Sequence, residues 1–120
     1  MPENMEVFTF GSNEKGVHGA GAAFAAYRDH GAIYGQGEGL QGQSYAIPTK
    51  DGALVSRTLD KIRASVETFK SFAAAHPEMT FRVTRIGCGL AGFRDTDIAP
   101  MFKGSPVNVK FFDETWEAYR

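Results

Sequence analysis

Two β-prone runs in this chain empty directly into glycine-rich loops, and that arrangement constrains the fold more than any other feature. Val7-Phe8-Thr9-Phe10 stops at Gly11-Ser12-Asn13, and glycines then stand at 11, 16, 19 and 21 before the helix-forming run Ala22-Ala23-Phe24-Ala25-Ala26-Tyr27. Gly31 follows as the expected left-handed residue beyond the helix end. Phe81-Arg82-Val83-Thr84-Arg85-Ile86 likewise reads as a strand that runs straight into Gly87-Cys88-Gly89-Leu90-Ala91-Gly92-Phe93. Strands alternating with helices predict an α/β domain with a central sheet and helices on both faces, and ligands of such sheets bind beyond the carboxyl ends of the strands. Both loops lie at such ends, so they converge on one crevice.

The remaining segments fill out the same plan. Gly37-Glu38-Gly39-Leu40-Gln41-Gly42 matches the letters of the dinucleotide fingerprint, but it precedes the strand Ser44–Ile47 instead of opening a helix. It reads as a flexible connection. Pro48 lacks a ladder donor and is expected to end that strand. From Val55 onward, Leu59, Ile62, Val66, Phe69 and Ala73 recur at helical spacing with Lys61, Arg63, Glu67 and Lys70 on the other faces, which predicts an amphipathic helix closed by His76-Pro77. Asp95 or Thr96 is placed to cap a short helix through Met101, and Val107–Phe112 reads as the last strand. Phe69, Phe72, Phe81 and Phe111 are expected in the core, with Trp116 and Tyr119 covering the sheet edge. A chain of 120 residues has room for one such core, hence a single domain.

Charge and cysteine use remove whole function classes. Thirteen basic residues are scattered and the formal net charge is -1, so the footprint of a duplex nucleic-acid binder is missing and any nucleotide ligand is small. The lone Cys88 excludes an internal disulfide, and without Cys-x-x-Cys or His-x-x-x-His spacing no metal set is expected; a reducing cytoplasm is the natural compartment. The polar start Met1–Glu6 lacks the basic and apolar regions of an export signal, and no stretch approaches the roughly 20 apolar residues needed to cross a bilayer.

Glycines near a helix start let the backbone approach a ligand, and the N–H groups around Ala20–Ala23 carry partial positive charge. Two such loops suit a diphosphate; the absence of Gly-Lys-Ser or Gly-Lys-Thr argues against a magnesium-dependent triphosphatase. The competing reading is that the glycines serve tight turns. Cys88, between two glycines, is either a reactive thiol or a small buried hydrophobe. His18 borders the first loop and is a contact candidate, whereas His30 and His76 fall near helix C-termini, where the dipole favours them. Lys50, followed by Asp51-Gly52, reads from its neighbours as a solvated turn lysine. Phe93 either stacks on a ribose or base or plugs the core behind its loop.

Three stretches resemble the macro domain family, in particular its branch related to terminal ADP-ribose protein glycohydrolases. They are Asn13 with Gly16–Ala23, the segment Ser44–Lys50, and Arg85–Phe93, the most specific being the strand that feeds Ile-Gly-Cys-Gly-Leu-x-Gly. The resemblance spans nearly the whole chain and implies a three-layer domain with a mixed sheet and an ADP-ribose cleft. It implies Ser12 and Asn13 near the distal ribose and Gly19, Ala20, Gly21 and Ala22 at the diphosphate. Gly87, Cys88, Gly89, Leu90, Ala91, Gly92 and Phe93 would wrap the other side. The chain is short at its start, where the family often reads adenine with an acidic residue, so adenine falls to Phe112 or Asp113. Hydrolases of the branch use a lysine after the middle strand and an aspartate in the phosphate loop; Lys50 fits the first, but Ala91 occupies the second and can neither take a proton nor hold a developing cation. Asp95 or Asp97 would have to reach into the cleft instead, against their ordinary role at a helix start. These considerations favour a binding module for ADP-ribose or a related NAD-derived nucleotide, free or on a macromolecule, that requires no cofactor. The alternatives are an ADP-ribosyl hydrolase using Lys50, acting on modified proteins or nucleic acid or on O-acyl-ADP-ribose, and a protein-interaction module that has lost its ligand.

Overall fold

The computed structural model describes residues 5–120; Met1–Asn4, most of the polar start, lie outside them. The elements run β1 (Met5–Asn13), α1 (Gly21–Asp29), β2 (Gly39–Gln41), β3 (Ser44–Lys50), α2 (Leu59–Ala75), β4 (Met79–Val83), α3 (Asp95–Ile98) and β5 (Val109–Phe111). Short 3₁₀ helices at Ala99–Phe102 and Glu114–Tyr119 follow α3 and β5. The sheet order is β2-β3-β1-β4-β5, with β1 parallel to β3 and β4, β4 parallel to β5, and β2 antiparallel to β3.

Side-chain alternation sends successive residues of a strand to opposite faces, and the core divides accordingly. Val7 of β1 with Tyr45 and Ile47 of β3 belongs to the larger cluster, built on Ile62, Val66, Phe69 and Ala73 of α2 together with Phe102 and Trp116. Phe10 and Ala46 instead meet Ala23 and Ala26 of α1. The domain is therefore a three-layer α/β sandwich. Phe69, Phe81 and Phe111 are buried as expected, Phe72 packs partly buried against them, and Trp116 lies on Phe111 of the edge strand. Thr58 caps α2 by accepting from Lys61 N, and His30 and His76 stand at the C-caps of α1 and α2, Gly31 following at φ 74°.

Several boundaries depart from expectation for identifiable reasons. The supposed connection Gly37–Gly42 contains β2, because Gly39–Gln41 pairs with Ser44–Ala46 across a tight turn at Gly42. β3 runs through Pro48 to Lys50: β2 stops opposite Ala46, and the Pro48 carbonyl is taken by Arg57 Nη1 at 2.6 Å, so no neighbouring strand needs the donor that proline lacks. β4 ends at Val83, just beyond which Thr84 donates both its N–H and its hydroxyl to Thr9 O. The last strand covers only Val109–Phe111. Neither Asp95 nor Thr96 caps α3; Arg94 holds the N-cap position, and the Asp97 carboxylate accepts from its N–H at 3.0 Å.

Both edges of the sheet are short and chemically blunted. On β2, Gln36 Nε2 donates to the carbonyls of Glu38 and Leu40, and on β5, Arg120 donates to those of Val109 and Pro106. Among the described residues no helix is long and apolar enough to cross a membrane.

Candidate functional site

The carboxyl ends of β1, β3 and β4 open onto a cavity of about 540 Å³. Its walls come from the first loop and the start of α1 (Val17 and Gly19–Ala23), the end of β3 (Thr49, Lys50) with Leu54, and the segment Thr84–Ala91. The two glycine-rich loops therefore meet across one site. Because β1 lies between β3 and β4, Lys50 and Leu54 occupy one end of the cavity and Thr84 and Arg85 the other.

The donors that line it are mostly backbone. The first intrahelical-type bond of α1 is Phe24 N–H to Ala20 O, so the amides of Ala20–Ala23 precede the ladder and carry the partial positive charge of a helix start. Ala20, at the N-cap, supplies no side-chain acceptor for them. On the opposite wall, Gly92 N bonds Gly89 O and Phe93 N bonds Gly87 O, while the amides of Gly89, Leu90 and Ala91 donate to no backbone carbonyl. Two sets of free N–H groups thus border the same space.

Most polar side chains at the strand ends are already committed. Asn13 donates from Nδ2 to Val17 O at 2.8 Å and accepts Val17 N–H at 2.9 Å, which shapes the first loop. Ser12 donates to Gly37 O, and Thr49 donates to Ser12 O at 3.3 Å. Ser12 and Asn13 line the cavity, as expected, but they build it more than they present free groups to it. Gly16 is a packing residue at φ 69°, where an added Cβ would fall 2.3 Å from Gln36 N, and it does not line the cavity. Lys50 lines the site, and its ammonium takes no ion pair or hydrogen bond among the described residues.

Other expected site residues lie elsewhere. His18 is 0% exposed and away from the cavity lining. Gln41 donates from Nε2 to the carbonyls of Gln36 and Gly39, so its Oε1 accepts from Ile33 N and from His18 Nε2, which fixes the imidazole proton on Nε2. Gly92 and Phe93 stand behind the second loop; the Phe93 ring packs beneath Gly87 and against the core, so it plugs. Asp95 is not in the cavity either. Its carboxylate accepts Arg85 Nε and Nη2 at 2.9 Å each and Trp116 Nε1 at 2.6 Å, and these bonds, Arg85's first, hold its pKa down to about 2. A carboxylate so held is a poor proton acceptor at neutral pH. Cys88 does line the cavity, half-buried, but burial above all pushes its thiol up to about 11, so a reactive thiolate is disfavoured.

Phe112 lies outside the cavity, in a shallow groove with Thr84, Arg85, Asp113, Glu114 and Thr115. Thr84 and Arg85 border both, so groove and cavity are continuous at the β4 end. Arg85, Thr84, Thr49 and Leu54 also line the cavity, although they are not among the site residues expected from sequence. The first three sit just after or within strand ends, where that signal was available; Leu54 carried none.

The fold and site define an α/β domain with a cavity at its strand ends that is bordered by unpartnered backbone N–H groups. No family model matches the chain, and no curated protein matches it. Among solved structures it is similar to a protein of unknown function from Bacteroides thetaiotaomicron, 19% identical, with a TM-score of 0.66 over 92% of this chain and 88% of that one. A second solved structure, of a Bacteroides thetaiotaomicron protein determined by a structural genomics consortium, is 19% identical with a TM-score of 0.63 over 90% and 88%. At this identity the likeness concerns the fold alone.

Proposed function

We propose that the cavity binds ADP-ribose or a related NAD-derived nucleotide, with the diphosphate held by backbone N–H groups of the two glycine-rich loops. The observation that carries this reading is the pair of unpartnered amide arrays, Ala20–Ala23 and Gly89–Ala91, bordering one cavity. A diphosphate spreads its charge over several oxygens on two sides, and donors converging from two walls match that shape. The cavity volume of about 540 Å³ falls within the range of about 300–1,000 Å³ usual for small-ligand sites. The macro-like character of Gly16–Ala23 and Arg85–Phe93 supports the same ligand class.

Charge gives the ligand a direction. At the β3 end stands the free Lys50 ammonium; at the β4 end the groove offers the Phe112 ring, one face of which carries the Arg82 guanidinium, and the carboxylates of Asp113 and Glu114, while the Arg85 charge there is met by Asp95 and Asp113. Phosphates are disfavoured among carboxylates, whereas an amino-bearing base on an aromatic face is not. The base therefore extends toward the groove and the distal ribose toward Lys50. The ligand is free or attached to a macromolecule, and with a single cysteine and no disulfide the protein belongs in the cytoplasm.

Hydrolysis of the same ligand class is the second reading, favoured by the position of Lys50 in the lining and opposed by Ala91, which supplies no acid at the facing loop. Calorimetric titration with ADP-ribose tests both. The expected result is one-to-one binding that Gly89→Val abolishes while the melting temperature stays unchanged, because an added Cβ at Gly89 meets nothing within 4 Å. No binding by the wild type overturns the ligand; unchanged affinity in the variant overturns the loop assignment. Turnover of an ADP-ribosylated substrate that Lys50→Ala removes would instead make the protein a hydrolase.

A further inference from the structure

We infer that Leu54 and Leu90 form an apolar clamp across the cavity, and that Leu54 is kept in a strained backbone conformation to serve it. The inference rests on the cavity being a ligand site, as proposed above. Leu54 is the single non-glycine residue at positive φ among the described residues, at 63°. A leucine there crowds its Cβ against the backbone, at a cost that glycine would avoid.

The surrounding turn enforces the strain. Asp51 Oδ1 accepts the amides of Ala53 and Val55 at 2.8 and 3.0 Å, Leu54 N donates to Asp51 O, and Asp51 N donates to Val55 O. Past the turn, Ser56 pairs with Lys50, and its hydroxyl donates to Ala91 O at 2.7 Å, tying this segment to the second glycine-rich loop. The result is a third wall of fixed geometry. From it Leu54 contributes to the cavity with 51% of its surface exposed, and Leu90 contributes from the second loop with 71% exposed.

Neither leucine is recruited by the hydrophobic core. Large apolar side chains that line a cavity yet remain in water gain free energy when a ligand covers them. Strain that persists at such a position points to use of that side chain. Leu90 also stands 3.9 Å from the point where a Cβ on Gly21 would begin, so it lies over the start of α1 and the amides there. Once covered by ligand, the pair would shut water away from the diphosphate donors and from Lys50, strengthening each of those polar contacts.

The test sets stability against binding. Leu54→Gly and Leu54→Asn suit a left-handed position and are expected to raise the melting temperature, yet to weaken ADP-ribose binding about tenfold through loss of apolar cover. Leu90→Asn, at an unstrained residue, is expected to weaken binding similarly with no change in melting temperature. Binding of 8-anilinonaphthalene-1-sulfonate, an apolar anion, gives a readout independent of the nucleotide. If the wild type ignores ADP-ribose but its enhancement of dye fluorescence depends on Leu54 and Leu90, the ligand assignment fails and the clamp stands. If the three variants bind dye and nucleotide like the wild type, or if Leu54→Gly lowers the melting temperature, the clamp is overturned.

Discussion

At the scale of single residues, contacts decide which polar groups remain available. Asp95 illustrates this. Its bidentate bond to Arg85 and its bond from Trp116 join the turn after β4, α3 and the C-terminal 3₁₀ helix at one carboxylate. Since its folded pKa of about 2 lies below the ordinary aspartate value of 3.8, the bonds stabilise the fold fully above that ordinary value, and the contribution is lost as pH falls toward 2. Asp95→Asn is therefore expected to lower the melting temperature at pH 7, with the gap from wild type closing as both are measured down to pH 2. A gap independent of pH would show that charge is not what the site uses. The sequence offered Asp95 as a helix cap or as an acid reaching into the cleft, not as a junction between elements. That three elements would meet on it depends on a register no local pattern contains.

At the scale of elements, the termini of helices and strands carry most of the specification. The body and C-terminus of α2 were legible, because its apolar period and His76-Pro77 agree, but its start was not: expected from Val55, the helix begins at Leu59 behind the Thr58 cap. Less legible was what holds its C-terminal carbonyls. Asn108, distant in sequence, donates from Nδ2 to the carbonyls of Ala73, His76 and Met79 at 3.0 Å each, fastening the end of α2 to the start of β4. Asn108→Ala leaves these part-buried acceptors without that donor, and urea denaturation is expected to show a loss of about 1–3 kcal/mol. β2 was missed for a related reason. Three residues that begin with one glycine and are followed by another have no readable period, and Gly39–Gln41 is a strand only because β3 lies beside it to be paired.

At the scale of the whole molecule, the parallel core of the sheet aims β1, β3 and β4 the same way, so their C-terminal loops share one end of the domain. That convergence was readable from two strand-to-glycine junctions, and with it most of the cavity lining. The third wall was not: Asp51-Gly52 announces a turn, but nothing in the letters announces that Leu54 will be held left-handed within it. The blunted edges have a consequence of a different kind. A parallel sheet grows by accepting further strands, and the carbonyls that would recruit them are occupied by Gln36 at one margin and by Arg120 at the other. Arg120→Ala bares the Val109 carbonyl, and light scattering is expected to rise with concentration in that variant under conditions where the wild type stays clear. Two side-chain donors thus leave an α/β sheet with open margins fewer edge carbonyls to offer to its own copies.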